Sequence, residues 1–202
     1  MDQVTASKWD KAAKSFDLMN GVGSELRWGD AKKELFADMQ GNILFLAVGT
    51  GLDIQHFPPG QQITGIDISS EMIAKATPRA EVYPGTMQVQ QLDVHEMPFA
   101  DGYFDQIYTS CTFCSVPDPV KGLQVLHRVL KPGGTLGMFE HTASGLFPFN
   151  VMLHLMTHLS KALGPEMNRP TVANVQQAGF EITSVTNHYL DVVKSIRAVK
   201  VV

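Results

Sequence analysis

The sequence has few of the residues that would mark a disulfide scaffold or a zinc site. Its only two cysteines, Cys111 and Cys114, form a single C-x-x-C pair, whereas a structural zinc site normally needs a second pair of ligands. We therefore interpret both as ordinary reduced thiols and expect a cytoplasmic protein that holds no metal.

Long apolar runs and a basic excess are also missing. The most apolar stretch, residues 146–163, contains His154, His158 and Lys161, whereas a membrane helix needs about 20 predominantly apolar residues. No apolar core of a secretory signal follows Met1, so we expect no secretion. A net charge of −4 argues against a dedicated nucleic-acid binder.

The composition that remains is that of a globular domain. Apolar residues make up 44% of the 202 residues and charged residues 18%, which is enough to build one core without a disordered region. We therefore expect a single domain.

Apolar segments of strand length alternate with segments of helical periodicity. Predicted strands cover 43–48, 63–66, 87–92, 104–109, 135–139, 180–186 and 192–201. Predicted helices cover part of the first 23 residues, 24–39 with Ser24 as N-cap, 69–76, 119–130, 146–163 and 172–178. This order predicts a mostly parallel sheet with right-handed crossovers, which binds ligands beyond the carboxyl ends of its strands.

A turn of small residues follows the first predicted strand, and Asp67 ends the second. The turn, Ala47–Gly51, would let a ligand approach the backbone, and the carboxylate would accept hydrogen bonds from ribose hydroxyls. Taken alone, the glycines could equally mark a tight strand-to-helix connection.

Four further segments occur in a diagnostic order after the turn. They are Gly65-Ile66-Asp67-Ile68-Ser69-Ser70-Glu71-Met72, Leu92-Asp93-Val94, Phe104-Asp105-Gln106-Ile107 and Arg128-Val129-Leu130-Lys131-Pro132-Gly133-Gly134. Together they resemble the class I S-adenosylmethionine (SAM)-dependent methyltransferases over nearly the whole chain. The likeness is greatest to the ubiquinone/menaquinone-biosynthesis-like and phospholipid N-methyltransferase branches.

The resemblance implies an α/β fold: a Rossmann-like, mostly parallel seven-stranded sheet with helices on both faces and an antiparallel last strand. It also implies a single domain divided into an N-terminal helical cap (1–40), a SAM-binding core (41–141), a helical insertion as a lid (142–170) and a C-terminal helix and strand pair (171–202). The implied cofactor is SAM, with S-adenosylhomocysteine (SAH) as its product.

Family roles carried over by position give a set of cofactor contacts. Asp67 would bind the ribose, Asp93 the adenine amino group, and the end of the fourth strand would face the sulfonium. The complete set is Ala47, Val48, Gly49, Thr50, Gly51, Asp67, Ile68, Met72, Asp93, Val94 and Ser110.

Two positions depart from the family pattern. Phe45 stands where an acidic residue usually helps to hold the amino-acid end of SAM, and Ala47 stands in place of a glycine. We expect altered cofactor affinity or an altered pose, and a site that no longer binds SAM is the alternative.

The acceptor side has weaker signals. We predict His141, just after a strand end, as the catalytic base. Trp9, Phe16, Cys114, His154 and His158 are the candidate substrate-pocket residues. His154 and His158 share one helix face, which is equally consistent with a polar stripe on a buried helix.

The apolar insertion and the lysine-bearing N-terminal helix favour an amphiphilic acceptor. Our first hypothesis is N-methylation of a phosphatidylethanolamine-type amine; the alternatives are a small thiol or a quinone precursor, and a SAM- or lipid-binding protein without turnover. We expect a small-molecule or lipid acceptor, no nucleic-acid partner, and a monomer or weak homo-oligomer. Peripheral attachment to an anionic membrane surface is a further hypothesis, with simple coverage of the cofactor pocket by both helices as its alternative.

Overall fold

Seven strands form one sheet in a computed structural model that describes residues 1–160 and 166–201. The strands are β1 (Asn42–Leu46), β2 (Gln62–Asp67), β3 (Thr86–Gln91), β4 (Phe104–Ser110), β5 (Leu130–His141), β6 (Glu181–Tyr189) and β7 (Val193–Val199). Their spatial order is β3-β2-β1-β4-β5-β7-β6. β1 to β5 are parallel, and β7 lies antiparallel between β5 and β6.

The strand order indicates where a ligand would bind. The chain builds outward from β1 to β3 and then returns to place β4 on the other side of β1. Because the strand order reverses there, the connections after β1 and β4 diverge, and a ligand site is expected beyond the carboxyl ends of these strands. The predicted fold class is confirmed.

Helices cover both faces of the sheet. They are α1 (Gln3–Ala13), α2 (Phe16–Asn20), α3 (Val22–Phe36), α4 (Ser70–Glu81), α5 (Pro119–Val129), α6 (Phe149–Ser160) and α7 (Thr171–Gln177). One apolar cluster packs β1, β4 and β5 against α5 and α7, and a second packs the other face against α3. The sheet is therefore the middle of three layers.

Some element boundaries differ from those predicted. Ser24 is not an N-cap, because α3 begins two residues earlier, after Gly21. α4 continues past Pro78 to Glu81. Pro78 cannot donate to the carbonyl of Ala74, but both residues are exposed, so water can take the missing donor's place. The last three residues of the predicted insertion helix, 161–163, lie outside the described residues.

None of the helices in the described part of the chain combines the length and the apolar character that a bilayer span requires.

Candidate active site

The turn after β1 has an unusual backbone. Ala47, Gly49 and Gly51 all have positive φ values, of 56°, 56° and 85°. A Cβ atom on Gly51 would lie 2.9 Å from Ile54 and 3.3 Å from the backbone of Ala76, so only glycine fits where the turn meets α4. Gly49 has no such neighbour: the nearest atom, 3.9 Å away, belongs to the Phe16 ring. The surrounding atoms therefore exclude a side chain at Gly51, whereas the space beside Gly49 is open.

Asp67 connects this turn to the start of α4. One carboxylate oxygen accepts a hydrogen bond from the Gly49 amide at 2.9 Å, and the other accepts one from the Ser69 amide at 2.9 Å. The side chain is buried, and desolvation raises the pKa of Asp67 to about 6 despite these amides. Each oxygen can accept one more hydrogen bond. Asp67 is therefore a buried carboxylate with room for two hydroxyl donors, which fits the ribose of SAM.

Asp93 is already engaged by protein groups. Oδ1 accepts hydrogen bonds from the backbone and the ring of His95, and Oδ2 accepts one from the Asp2 amide at 2.9 Å. These donors hold the pKa of Asp93 below its usual value, against the opposing effect of burial, which is the largest single influence. An adenine amino group at Asp93 would share the carboxylate with the N-terminal segment.

Asp10 and Asp17, which were not among the predicted site residues, connect the N-terminal helices α1 and α2 to the turn after β1 and to α4. Asp10 accepts hydrogen bonds from the Ser69 hydroxyl at 2.6 Å and the Glu71 amide at 3.2 Å. Asp17 accepts hydrogen bonds from the Thr50 hydroxyl at 2.5 Å and from Arg79 at 2.8 Å. No local motif marks these contacts, because their partners are 33 to 62 residues away.

Trp9 and Phe16 belong to the same cap. Their rings meet edge to face, with centroids 6.3 Å apart, and the Phe16 ring lies 3.9 Å from the position that a Cβ atom on Gly49 would occupy. Phe16 therefore lies beside the Ala47–Gly51 turn, and Trp9 packs against it.

Phe45 points into the core and away from the cleft. Its ring lies 4.8 Å from that of Phe57 and 5.6 Å from that of Phe36, and the residue is 1% exposed. An acidic group at this position would be buried among aromatic rings, which explains why phenylalanine is accommodated and why it contributes no charge to the site.

Glu140 is a further functional candidate, which was not among the predicted site residues. This fully buried carboxylate at the end of β5 accepts hydrogen bonds from the Thr109 hydroxyl at 2.7 Å and from the amides of Thr112 and Phe113 at 3.0–3.1 Å. Burial raises the pKa of Glu140 to about 7. Glu140 therefore fixes the loop after β4, in which Cys111 has a φ of +53°.

Cys111 lies at the opening between β4 and β5. Its amide donates to the Phe139 carbonyl at 2.7 Å. The residue is exposed, yet desolvation by the surrounding protein raises the pKa of its thiol. Solvent contact combined with crowded surroundings is what we expect of a side chain at the floor of a concave cleft.

His141 follows Phe139 on the same face of β5, because side chains alternate along a strand. Desolvation lowers the pKa of His141, so its imidazole is neutral at pH 7. Its Nδ1 is buried and has no hydrogen-bond partner among residues 1–160 and 166–201. A neutral imidazole with a free nitrogen is suited to accept a proton.

The remaining predicted pocket residues are more scattered. Cys114 is buried, with its Sγ 3.5 Å from the Cys111 carbonyl oxygen, and burial raises the pKa of its thiol to about 11. His154 is exposed on α6 and contacts Asn168 at 2.5 Å. The side chain of His158 lies outside the described part of the structure.

Comparison with known proteins identifies the family. Residues 44–138 match the methyltransferase domain family. The chain is 34% identical over 156 residues to the ubiquinone/menaquinone biosynthesis C-methyltransferase UbiE of Geotalea daltonii, covering 72% of this chain and 66% of that protein. The chain belongs to the class I SAM-dependent methyltransferases. The predicted family is confirmed, and so is SAM as the family's cofactor.

Other relatives differ in the acceptor named. The phosphatidylethanolamine N-methyltransferase of Cereibacter sphaeroides is 29% identical, with 61% of this chain and 62% of that protein covered. The human thiol S-methyltransferase TMT1B is 34% identical, with 55% and 50% covered. The chain spans just under two thirds of the length of the first curated relatives it matches, 63–66%.

Solved structures show the same fold. A SAM-dependent methyltransferase from Aquifex aeolicus superposes with a TM-score of 0.67 at 18% identity, with 95% of this chain and 98% of that chain covered. One from Methanosarcina mazei gives a TM-score of 0.62 at 21% identity, with 84% and 96% covered.

Proposed function

We propose that this class I family member binds SAM at the Ala47–Gly51 turn and transfers its methyl group to an aromatic quinone precursor in the cleft beyond β4 and β5. The observation that carries the proposal is the buried Asp67 carboxylate, which holds the Gly49 amide and keeps acceptor capacity for two hydroxyls. The choice of acceptor is supported by the quinone-methylating relatives at 33–34% identity.

SAM supplies an activated methyl group on a sulfonium, so the protein needs no metal for an in-line displacement. Asp67 holds the ribose end, and the Cys111–Phe113 loop, fixed by Glu140, forms the wall that faces the reacting atoms. Holding the acceptor in line and away from water can lower the barrier by about 7–11 kcal/mol.

His141 is the proposed base. As the bond from a ring carbon of a phenolic acceptor to the methyl group forms and the S–CH3 bond breaks, the neutral imidazole takes the phenolic proton. The methylated ring carbon then loses its hydrogen as a proton while the oxygen is protonated again, which restores the aromatic ring and leaves one proton to be released overall. The proton then passes from the imidazolium to water.

N-methylation of a phosphatidylethanolamine-type amine is the second candidate. It is favoured by the insertion helix α6 and the segment before it, which expose Leu146, Phe147, Val151, Met152, Leu155 and Met156. Phe147 is 82% exposed. Such a surface suits an amphiphilic acceptor of either class.

The test is transfer of a labelled methyl group from SAM to a panel containing demethylated quinols, phosphatidylethanolamine and small thiols. We expect the highest kcat/KM with a quinol, and a loss of about 100-fold or more in kcat for His141→Asn, the size typical of a lost general base. His154→Asn is the matched control, because His154 is exposed on α6. Highest turnover of the lipid or a thiol would reassign the acceptor, and SAM binding without turnover of any acceptor would favour the non-catalytic alternative.

A further inference from the structure

Lys32 and Asp53 form a largely buried ion pair beside the cofactor turn. Lys32 lies on α3, and Asp53 lies on a short 3₁₀ helix, Leu52–His56, that begins directly after Gly51. Their side chains are 14% and 15% exposed, and Nζ lies 2.7 Å from Oδ1. The loss of hydration on burial offsets much of the attraction between two opposite charges, so a buried ion pair is weak evidence for a purely stabilising role.

The pair reaches from the turn toward the ends of β4 and β5. Lys32 Nζ lies 5.7 Å from the centroid of the Phe139 ring, and Phe139 is the register partner of Ser110, the last residue of β4. Lys32 lowers and Asp53 raises the pKa of the Cys111 thiol, so both charges lie near that residue. Lys32 and Asp53 thus lie between the Ala47–Gly51 turn and the ends of β4 and β5, where the methyl group would be transferred.

Both groups have unused hydrogen-bonding capacity. An ammonium group has three N–H donors, and among the described residues Asp53 is the only acceptor hydrogen-bonded to Lys32. Asp53 likewise accepts through Oδ1, and no described residue donates to its Oδ2. A ligand that carries one positive and one negative group can therefore bind to both side chains while the hydrogen bond between Lys32 and Asp53 stays intact.

The amino-acid end of SAM presents such charges, an α-ammonium and an α-carboxylate. In a water-poor cleft each needs a partner of opposite sign. Phe45 offers none. The other ion pair near the turn, Asp17–Arg79, is 36% and 38% exposed, and its carboxylate oxygens already hold Thr50 and Arg79.

We propose that Lys32 binds the α-carboxylate of SAM and Asp53 its α-ammonium, so that the pair forms the amino-acid subsite of the cofactor. The inference rests on the proposed function, because it assumes that SAM occupies the turn. It assigns to α3 and the 3₁₀ helix the charges that Phe45 does not provide.

The test compares two ligands by titration calorimetry: SAH, which carries the amino-acid end, and 5′-methylthioadenosine, which lacks it. The double variant Lys32→Met/Asp53→Asn removes both charges and leaves neither buried alone. We expect SAH affinity to fall about 10- to 100-fold, the size of lost hydrogen bonds to charged groups, while 5′-methylthioadenosine affinity stays unchanged. Lys33→Met is the matched control, since Lys33 is exposed on the same helix.

Three outcomes would overturn the assignment. An equal loss for both ligands would show that the pair only supports the fold, and thermal unfolding of the single variants Lys32→Gln and Asp53→Asn would reveal the same defect. Unchanged SAH affinity with a raised KM for the methyl acceptor would assign the pair to the acceptor. If the wild-type protein binds neither SAM nor SAH, the proposed function itself fails, and this inference fails with it.

Discussion

Ala47 adopts a backbone conformation that is unfavourable for any residue with a Cβ atom. Its φ of +56° lies in the left-handed region, where a Cβ atom crowds the following carbonyl and costs about 1–2 kcal/mol. Glycine adopts this conformation freely. The family's preference for glycine at this position therefore has a backbone explanation that is independent of the cofactor.

Replacing Ala47 with glycine should stabilise the protein. Relief of the left-handed strain is partly offset by the greater freedom of glycine in the unfolded chain, which is worth about 0.4–1 kcal/mol. We expect the free energy of unfolding to rise by up to about 1 kcal/mol in urea denaturation. Ala74→Gly, at an exposed position in α4, is the control and should lower it by about 1 kcal/mol. A similar loss in both variants would contradict the strain argument.

At the scale of elements, Glu140 joins β5 to the loop after β4. No described cation pairs with this carboxylate, which is held by one hydroxyl and two backbone amides. Its pKa of about 7, against an ordinary value of 4.5, means that the folded protein retains a proton that the unfolded chain has already lost between these pH values. Stability from this group is therefore highest at low pH and declines as pH rises toward 7.

Between pH 5 and pH 7.5 the Glu140 contribution should fall by about 2 kcal/mol. Asp67, whose pKa is also raised, changes stability in the same direction. We therefore expect Glu140→Gln to reduce the change in the free energy of unfolding between pH 5 and pH 7.5 by about 2 kcal/mol. The smaller change that comes from Asp67 should remain in this variant. Denaturation at both pH values measures this, with the exposed Glu71→Gln as control. A variant with the wild-type slope would show that Glu140 is ionised throughout the range.

The main elements were predictable because their signals are local. The apolar run of β1, the turn after it and Asp67 at the end of β2 predicted the sheet and the cofactor edge. The start of α3 was misplaced because Ser24 looks like an N-cap, whereas the helix begins after Gly21 without any side-chain cap. Element ends depend on such weak local preferences, which tertiary packing overrides.

Long-range contacts in the site could not be predicted. Asp10 and Asp17 look like surface residues of an N-terminal helix, yet they hydrogen-bond to Ser69 and Thr50. Glu140 follows the apolar residues Met138 and Phe139 along β5, and its partners lie at the end of the neighbouring strand β4 and in the loop after it. Pairings of this kind depend on the three-dimensional arrangement of elements, for which hydrophobic periodicity carries no signal.

At the scale of the whole molecule, the cleft is assembled from distant parts of the chain. The N-terminal cap closes over the turn, α3 contributes Lys32, and the ends of β4 and β5 supply Cys111 and His141. We infer that this assembly binds SAM, with Asp67 on the ribose.

Calorimetric titration of the wild-type protein and of Asp67→Asn with SAM shows whether Asp67 binds the cofactor. We expect the wild-type protein to bind SAM, and Asp67→Asn to bind about 100-fold more weakly, because two charge-assisted hydrogen bonds to the ribose are weakened. Asp101→Asn, at an exposed turn residue, should bind like the wild type. No binding by the wild-type protein would show that the turn does not hold SAM, and equal affinity in Asp67→Asn would show that Asp67 does not bind the ribose.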